Sequence, residues 1–267
     1  MLLTKEQIAT FKKLVLTKKI KVVVFDLETS PSKFWGWGTG EQYVDVKMLV
    51  QGSETRLITS QHMYSLDKKA IALEWNLSNK GIGDDSEIVK KLVPILNAAD
   101  IVVGQNSKAF DIKVLQERAK ILRLPPVSID FMLDTLTHSR GSFRSMSHRL
   151  DYRSKQYGLG GKNKMEMQDW IDIVEGKTSP KKKMIPYGLK DVLDTDKIFW
   201  LELPYYNLPK ATVNKILKLI KKCVPEEENT KVSCPVCTVR KTGSKYKVKK
   251  TYGRGFRCLI CEHRFNV

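Results

Sequence analysis

Asp26 and Glu28 stand two residues apart at the end of Lys21-Val22-Val23-Val24-Phe25, a β-branched and aromatic run that reads as a strand buried on both faces. Residues i and i+2 of a strand project from the same face, so the two carboxylates lie side by side. At the tip of a buried strand they repel each other unless a cation lies between them. A strand end passing into a polar loop is the plainer alternative. Two more acids have comparable settings. Asp111 follows Asn106-Ser107-Lys108-Ala109-Phe110 and opens a helix beside a strand end, where backbone N–H groups favour anions. A charge complementing the helix dipole is its plain alternative. Tyr187 and Asp191, at i and i+4, share one helical face. A different chemistry is written in Cys234-Pro235-Val236-Cys237 and Cys258-Leu259-Ile260-Cys261, a C-x2-C-x20-C-x2-C spacing that matches a structural zinc site. Paired redox thiols would not need two matched pairs. Cys223 lies outside the pattern and reads as a plain thiol, and His263 is spare.

These side chains need elements to position them. Thr4-Lys5-Glu6-Gln7 has a capping-box pattern, and Ile8, Phe11, Leu14 and Val15 follow at helical spacing. Arg56–Ser65 and Lys69–Trp75 read as a hairpin closed by Leu66-Asp67-Lys68. The Gly81–Asp85 loop caps a helix carrying Ile88, Leu92, Val93, Ile95 and Leu96, and Ile101–Gly104 is a second short buried strand. Pro186 suits the first turn of a helix running through Val192, Thr195, Ile198 and Phe199, and residues 211–224 form an apolar-basic helix. Residues 124–170 show less regularity. This order predicts an α/β fold with a mixed sheet. Asp100, Asp134, Asp151, Asp194 and Asp196 are explained as caps, turns and solvated helix faces.

Composition narrows the function classes. Lys+Arg 47 against Asp+Glu 29 gives a net charge of +18 over 267 residues, which suits a polyanionic partner, most often nucleic acid. No apolar run is long enough for a membrane helix, and Met1-Leu2-Leu3 meets Lys5 and Glu6 at once, so neither a membrane span nor a signal peptide is expected. Five cysteines, four of them in the paired pattern, point to a metal site in a reducing, cytoplasmic compartment. The glycine-rich turn Gly158–Lys164 lacks the setting of a Walker loop and is not a nucleotide cradle. Trp35 and Trp37, in a Gly-rich loop, suit either base stacking or cover of the sheet edge. From 231 to 267 there are ten Lys/Arg against one acid, interleaved with Tyr246, Tyr252 and Phe256. Such a module suits nucleic-acid backbone contact, with protein docking as its alternative.

Asp26-x-Glu28, Asn106-x3-Phe110-Asp111 and Tyr187-x3-Asp191, in this order, resemble the three motifs of the DEDD 3′-5′ exonucleases, and the tyrosine resembles their DEDDy subgroup. Ala99–Asn106, and Leu150-Asp151-Tyr152 with Gly158–Lys162, are similar to exonucleases close to family B polymerase proofreading domains, over about residues 21–205. Gln105 departs from the histidine expected there, which bears on a substrate contact and not on metal ligands. The resemblance implies an RNase H-like mixed β-sheet flanked by helices and two Mg²⁺ or Mn²⁺ ions. In that scheme Asp26 bridges both ions, Glu28 and Asp191 hold the water-activating one, Asp111 completes the other site largely through water, and Tyr187 orients the water. Val239–Arg257 resembles the hairpins of a zinc ribbon.

The expected organisation is a helical extension at 1–20, an RNase H-like exonuclease domain at 21–210, a helix and linker at 211–229, and a nucleic-acid-binding zinc ribbon at 230–267 holding one structural Zn²⁺. The expected activity is metal-dependent removal of nucleotides from 3′ ends, with single-stranded or 3′-ended DNA favoured over RNA. Nucleic-acid contacts are expected at Trp35, Trp37, Asn106, Phe110, Lys162, Lys164, Lys247, Lys249 and Arg254. A replication or repair protein is a second partner class, reached through the ribbon. The rival readings are a non-catalytic nucleic-acid or partner-binding protein on a nuclease-like scaffold, and an RNase H-like structure-specific endonuclease.

Overall fold

A computed structural model describes residues 1–37, 44–52, 54–77, 83–160 and 164–224, together with the backbone of three short strands at 248–250, 255–258 and 264–266. In chain order the elements are α1 (Lys5–Leu16), β1 (Val22–Thr29), β2 (Leu57–Tyr64), β3 (Ile71–Glu74), β4 (Asn76–Leu77), β5 (Gly83–Asp84), α2 (Ser86–Asn97), β6 (Ile101–Gly104), α3 (Asp111–Ile121) and β7 (Met132–Asp134). They continue with α4 (Thr135–Ser142), α5 (Leu150–Gln156), α6 (Met167–Val174), α7 (Thr178–Glu202), α8 (Lys210–Cys223), β8 (Val248–Lys250), β9 (Gly255–Cys258) and β10 (Arg264–Asn266). The chain divides into two compact units, Met1–Ile220 and Lys221–Val267.

The first unit is a mixed α/β layer structure, compatible with an RNase H-like fold. Five of its strands form one sheet in the order β3-β2-β1-β6-β7, and β4 and β5 pair separately. β2 and β3 form an antiparallel meander off β1, whereas β6 and β7 run parallel to it. The central place of β1 follows from its sequence: Val22–Phe25 are apolar on both faces and essentially inaccessible. Val23, Phe25 and Leu27 join the core formed with Ile88, Leu92 and Leu96 of α2 and Leu115 of α3. The alternate residues Val22, Val24, Asp26 and Glu28 therefore share the opposite face, and the last two end on carboxylates.

Two buried ion pairs brace this unit. Arg118 of α3 donates Nε and Nη2 to Asp85 at 2.7 and 2.8 Å, and Asp85 also accepts the Leu57 amide at 3.0 Å. Asp85 stands at the N-cap position of α2 but makes no capping bond, because both oxygens are committed to α3 and β2. The second pair, between Arg153 and Glu202, joins α5 to the end of α7. Thr4 and Gln7 do form the reciprocal capping box at α1.

Three expectations change. Helix α7 begins at Thr178, not at Pro186, which lies inside its 25 residues. Proline in a helix interior forfeits one backbone bond and costs roughly 3 kcal/mol. The extra turns are held by tertiary contacts: Met184 is fully buried, Lys181 pairs with Glu74 at 2.8 Å and Lys183 with Asp169 at 2.6 Å. Asp194 and Asp196 are buried and not on a solvated face. Lys190 holds Asp194 at 2.6 Å, while Asp196 accepts from the Ser65 hydroxyl at 2.5 Å and the Leu66 amide at 3.1 Å. The irregular stretch 124–170 contains β7, α4, α5 and α6.

In the second unit β8, β9 and β10 form a three-stranded antiparallel sheet in the order β10-β9-β8. Cys258 is the last residue of β9. Cys234, Cys237 and Cys261 lie outside the described residues, as do Lys162, Lys247 and Arg254, and Lys249 is described only as β8 backbone.

Candidate active site

The strand tips and helix ends of the first unit meet at a cleft of about 740 Å³. Asp26, Glu28 and Asp191 lie on it, with ligand oxygens all within 4.8 Å of one another. Glu28 and Asp191 are buried and Asp26 half-buried. The cross-strand register explains half of this placement: Asp26 lies opposite Gln61 and Glu28 opposite Thr59, and a bulge follows at Glu28/Thr29. Helix α7 packs over this face and supplies Asp191, with Tyr187 one turn earlier on the same cleft.

Asp111 lines the same cleft but stands apart from the tight trio. It opens α3 and accepts the Leu27 amide at 3.0 Å, so the backbone between Asp26 and Glu28 holds it. Burial pushes its carboxyl up to about 6, and the neighbouring Asp134 charge adds to the rise, while its backbone hydrogen bonds oppose it. Asp134 itself caps α4 through the Leu136 and Thr137 amides, as expected of it. It also accepts the Asn106 and Lys108 amides at 3.1 and 3.0 Å. That pins the β6–α3 turn, where Asn106 has a positive φ of 65°, a conformation asparagine tolerates.

A donor set made only of carboxylates suits a hard, oxygen-seeking cation such as Mg²⁺ or Mn²⁺. Three acids this close would otherwise repel one another strongly. The residues present therefore fit a divalent ion.

Helix α7 reaches the sheet this closely because of Gly188. A Cβ there would fall 2.4 Å from the Gln61 side chain, which neighbours Asp26 and donates to the Thr59 hydroxyl at 2.8 Å. Gly188→Ala is expected to push Tyr187 and Asp191 outward. Displacements near 1 Å at a reacting centre cost about 10²-fold in rate, whereas the overpacking itself costs only about 1–3 kcal/mol. Kinetics of the variant should show that loss, and pairing it with Gln61→Ala should recover part of it.

Of the expected nucleic-acid contacts, Asn106 and Phe110 line the cleft, and Phe110 is 45% exposed. Trp35 and Trp37 are 73% and 89% exposed, so they do not cover the sheet edge, and neither lines the cleft. Lys164 is exposed and lies off the cleft. A wall formed by Arg140, Met146, His148 and Arg149 also lines the cleft and was not among the expected contacts. Its signal was a serine- and arginine-rich run, Ser139–Arg149, without periodicity.

Gln105 occupies a different role from a substrate contact alone. Its Oε1 accepts from Arg153 Nη1 at 2.8 Å and from the Thr135 hydroxyl at 2.5 Å, and its Nε2 donates to the His148 carbonyl at 3.0 Å. The glutamine thus ties the arginine-bearing wall to β6.

No protein-family model matches the chain, and no curated protein matches it in sequence. Among solved structures it is similar to the family B DNA polymerase from the hyperthermophilic archaeon Pyrobaculum calidifontis, with a TM-score of 0.50 and 18% identity over 69% of this chain. The chain spans 25% of the polymerase's length. At that identity the likeness concerns the fold.

Proposed function

We propose that the chain is a metal-dependent 3′-5′ exonuclease acting on nucleic acid, with DNA as the favoured substrate. The observation that carries this reading is the convergence of Asp26, Glu28 and Asp191 within 4.8 Å on a cleft that Asp111 and Tyr187 also line. The motif resemblance gives these acids their roles, and the fold likeness to a DNA polymerase is consistent with a nucleic-acid substrate. Asp26, Glu28, Asp111 and Asp191 would hold the ions. When bound, two divalent ions supply a water acidified for attack and neutralise charge on the leaving oxygen.

The protein's own groups do the rest. Tyr187 acts by hydrogen-bonding and orienting the water. Asn106 and Phe110 contact the terminal nucleotide, and the arginines of the wall take the phosphates. The Cys234, Cys237, Cys258 and Cys261 spacing supports one structural Zn²⁺ in a C-terminal ribbon, whose folding would depend on the metal. Elemental analysis of the purified protein is expected to find one zinc per chain, lost in Cys258→Ser.

The test uses 5′-labelled single-stranded DNA and RNA with Mg²⁺. A descending ladder, abolished by chelation, is expected. One internal cut would favour a structure-specific endonuclease, and intact substrate with retained binding would favour a non-catalytic binding protein.

A further inference from the structure

A second cavity of about 310 Å³ lies beside the carboxylate cleft, lined by Phe143, Arg144, Tyr152, Gln156 and Tyr157. Met146 borders both cavities and is 95% exposed, so it contributes nothing to the core. An apolar side chain left on such a ridge is available to a ligand that crosses it.

The ridge is also flanked by arginines. Arg140, Arg144 and Arg149 form no ion pair among the described residues, whereas Arg118 and Arg153 are both committed to buried carboxylates. Three uncommitted guanidinium groups within ten residues suit a run of phosphates. The floor is rigid. Arg153 and Glu202 are 2% and 3% exposed and joined by two hydrogen bonds of 3.0 and 2.5 Å, and the Tyr157 hydroxyl donates to Glu202 at 3.2 Å. Through Arg153 and Gln105 this floor is bonded directly to the wall of the carboxylate cleft. The two cavities are therefore one preorganised surface with a ridge between them.

We propose that the second cavity is a nucleotide subsite for the same strand. Resting on the nuclease reading, the 3′-terminal nucleotide lies among the carboxylates and the strand passes over Met146. A base on its 5′ side then seats against Tyr152 and Phe143, with phosphates facing Arg144 and Arg149. Stacking on aromatic faces is tolerant of base identity, so the subsite sets strand length and grip, not sequence.

The test is fluorescence anisotropy on the full chain with labelled single-stranded oligonucleotides, from a dinucleotide upward, in chelator and across a salt series. Wild-type affinity is expected to rise in a step once the strand is long enough to cross the ridge. Tyr152→Ala should weaken the longer strands by about tenfold. Arg144→Gln should lower the salt slope by about 0.7, one single-strand phosphate contact. In Mg²⁺ the loss of kcat/KM in both variants should grow with substrate length, at unchanged melting temperature. Wild-type affinity and salt slope in both variants at every length would overturn the subsite, as would a wild type without the length step. If the wild type degrades nothing in Mg²⁺ yet the step persists and disappears in the variants, the subsite stands and the nuclease reading falls.

Discussion

Asp191→Ala is expected to lower exonuclease turnover by about 10³-fold or more while leaving the metal-free protein at least as stable as wild type. The two halves of this result have one cause. Carboxylate oxygens of Asp26, Glu28 and Asp191 lie within 4.8 Å of one another. At an effective dielectric near 20, two such charges repel by on the order of 3 kcal/mol. An ordinary hydrogen bond contributes only about 1 kcal/mol, so relief of the repulsion outweighs the loss of a hydrogen bond at Asp191. A residue retained for stability would behave the opposite way, its removal lowering the melting temperature. The same variant should lose the upward shift in melting temperature expected of the wild type in Mn²⁺, which at about 100 times the dissociation constant corresponds to about 2.7 kcal/mol. Calorimetry with and without Mn²⁺, set beside single-turnover kinetics, checks all three outcomes.

Asp111 should cost the metal-free protein stability between pH 5 and pH 7.5 relative to Asp111→Asn, and saturating Mn²⁺ should remove most of that cost. Burial raises the Asp111 carboxyl from 3.8 to about 6. Between those values the folded state holds a proton that the unfolded chain has released, so stability falls as pH rises through the window and stays low above it. A shift of this size is worth roughly 3 kcal/mol over the whole window, of which about half falls between pH 5 and pH 7.5. A cation beside the carboxylate offsets the charge that burial penalises, which restores the lost stability above pH 6 and does little below pH 5. Asp111→Asn should flatten the metal-free profile. A wild-type melting profile that runs parallel to that of Asp111→Asn from pH 5 to 7.5 without metal would falsify this assignment of the buried acid.

The parts of the fold legible in the sequence were those where local pattern and burial agree. Val22–Phe25 could only be a strand covered on both faces, and the two-residue period then placed Asp26 beside Glu28. Thr4 and Gln7 announced α1, and Asp111 opened α3 where the polar turn after β6 ended. What stayed illegible depended on distant partners. Pro186 looked like a helix start because nothing local reveals that Met184 will be buried or that Lys181 and Lys183 will find Glu74 and Asp169. Asp194 and Asp196 looked solvated for the same reason, their cover coming from Lys190 and from the β2–β3 turn. Helix α5 carries little apolar surface and is anchored by the buried pair between Arg153 and Glu202, 49 residues apart. Arg140 and Arg149 line the cleft beside that anchor and Gln105, and no local periodicity announces such a wall.

Crystals of the protein soaked in Mn²⁺ provide the most direct measurement. Anomalous difference maps are expected to place manganese among the carboxylates of Asp26, Glu28 and Asp191, with a second ion toward Asp111. Full occupancy of other surface acids with no anomalous density at these four would contradict metal-dependent nuclease chemistry at this cleft.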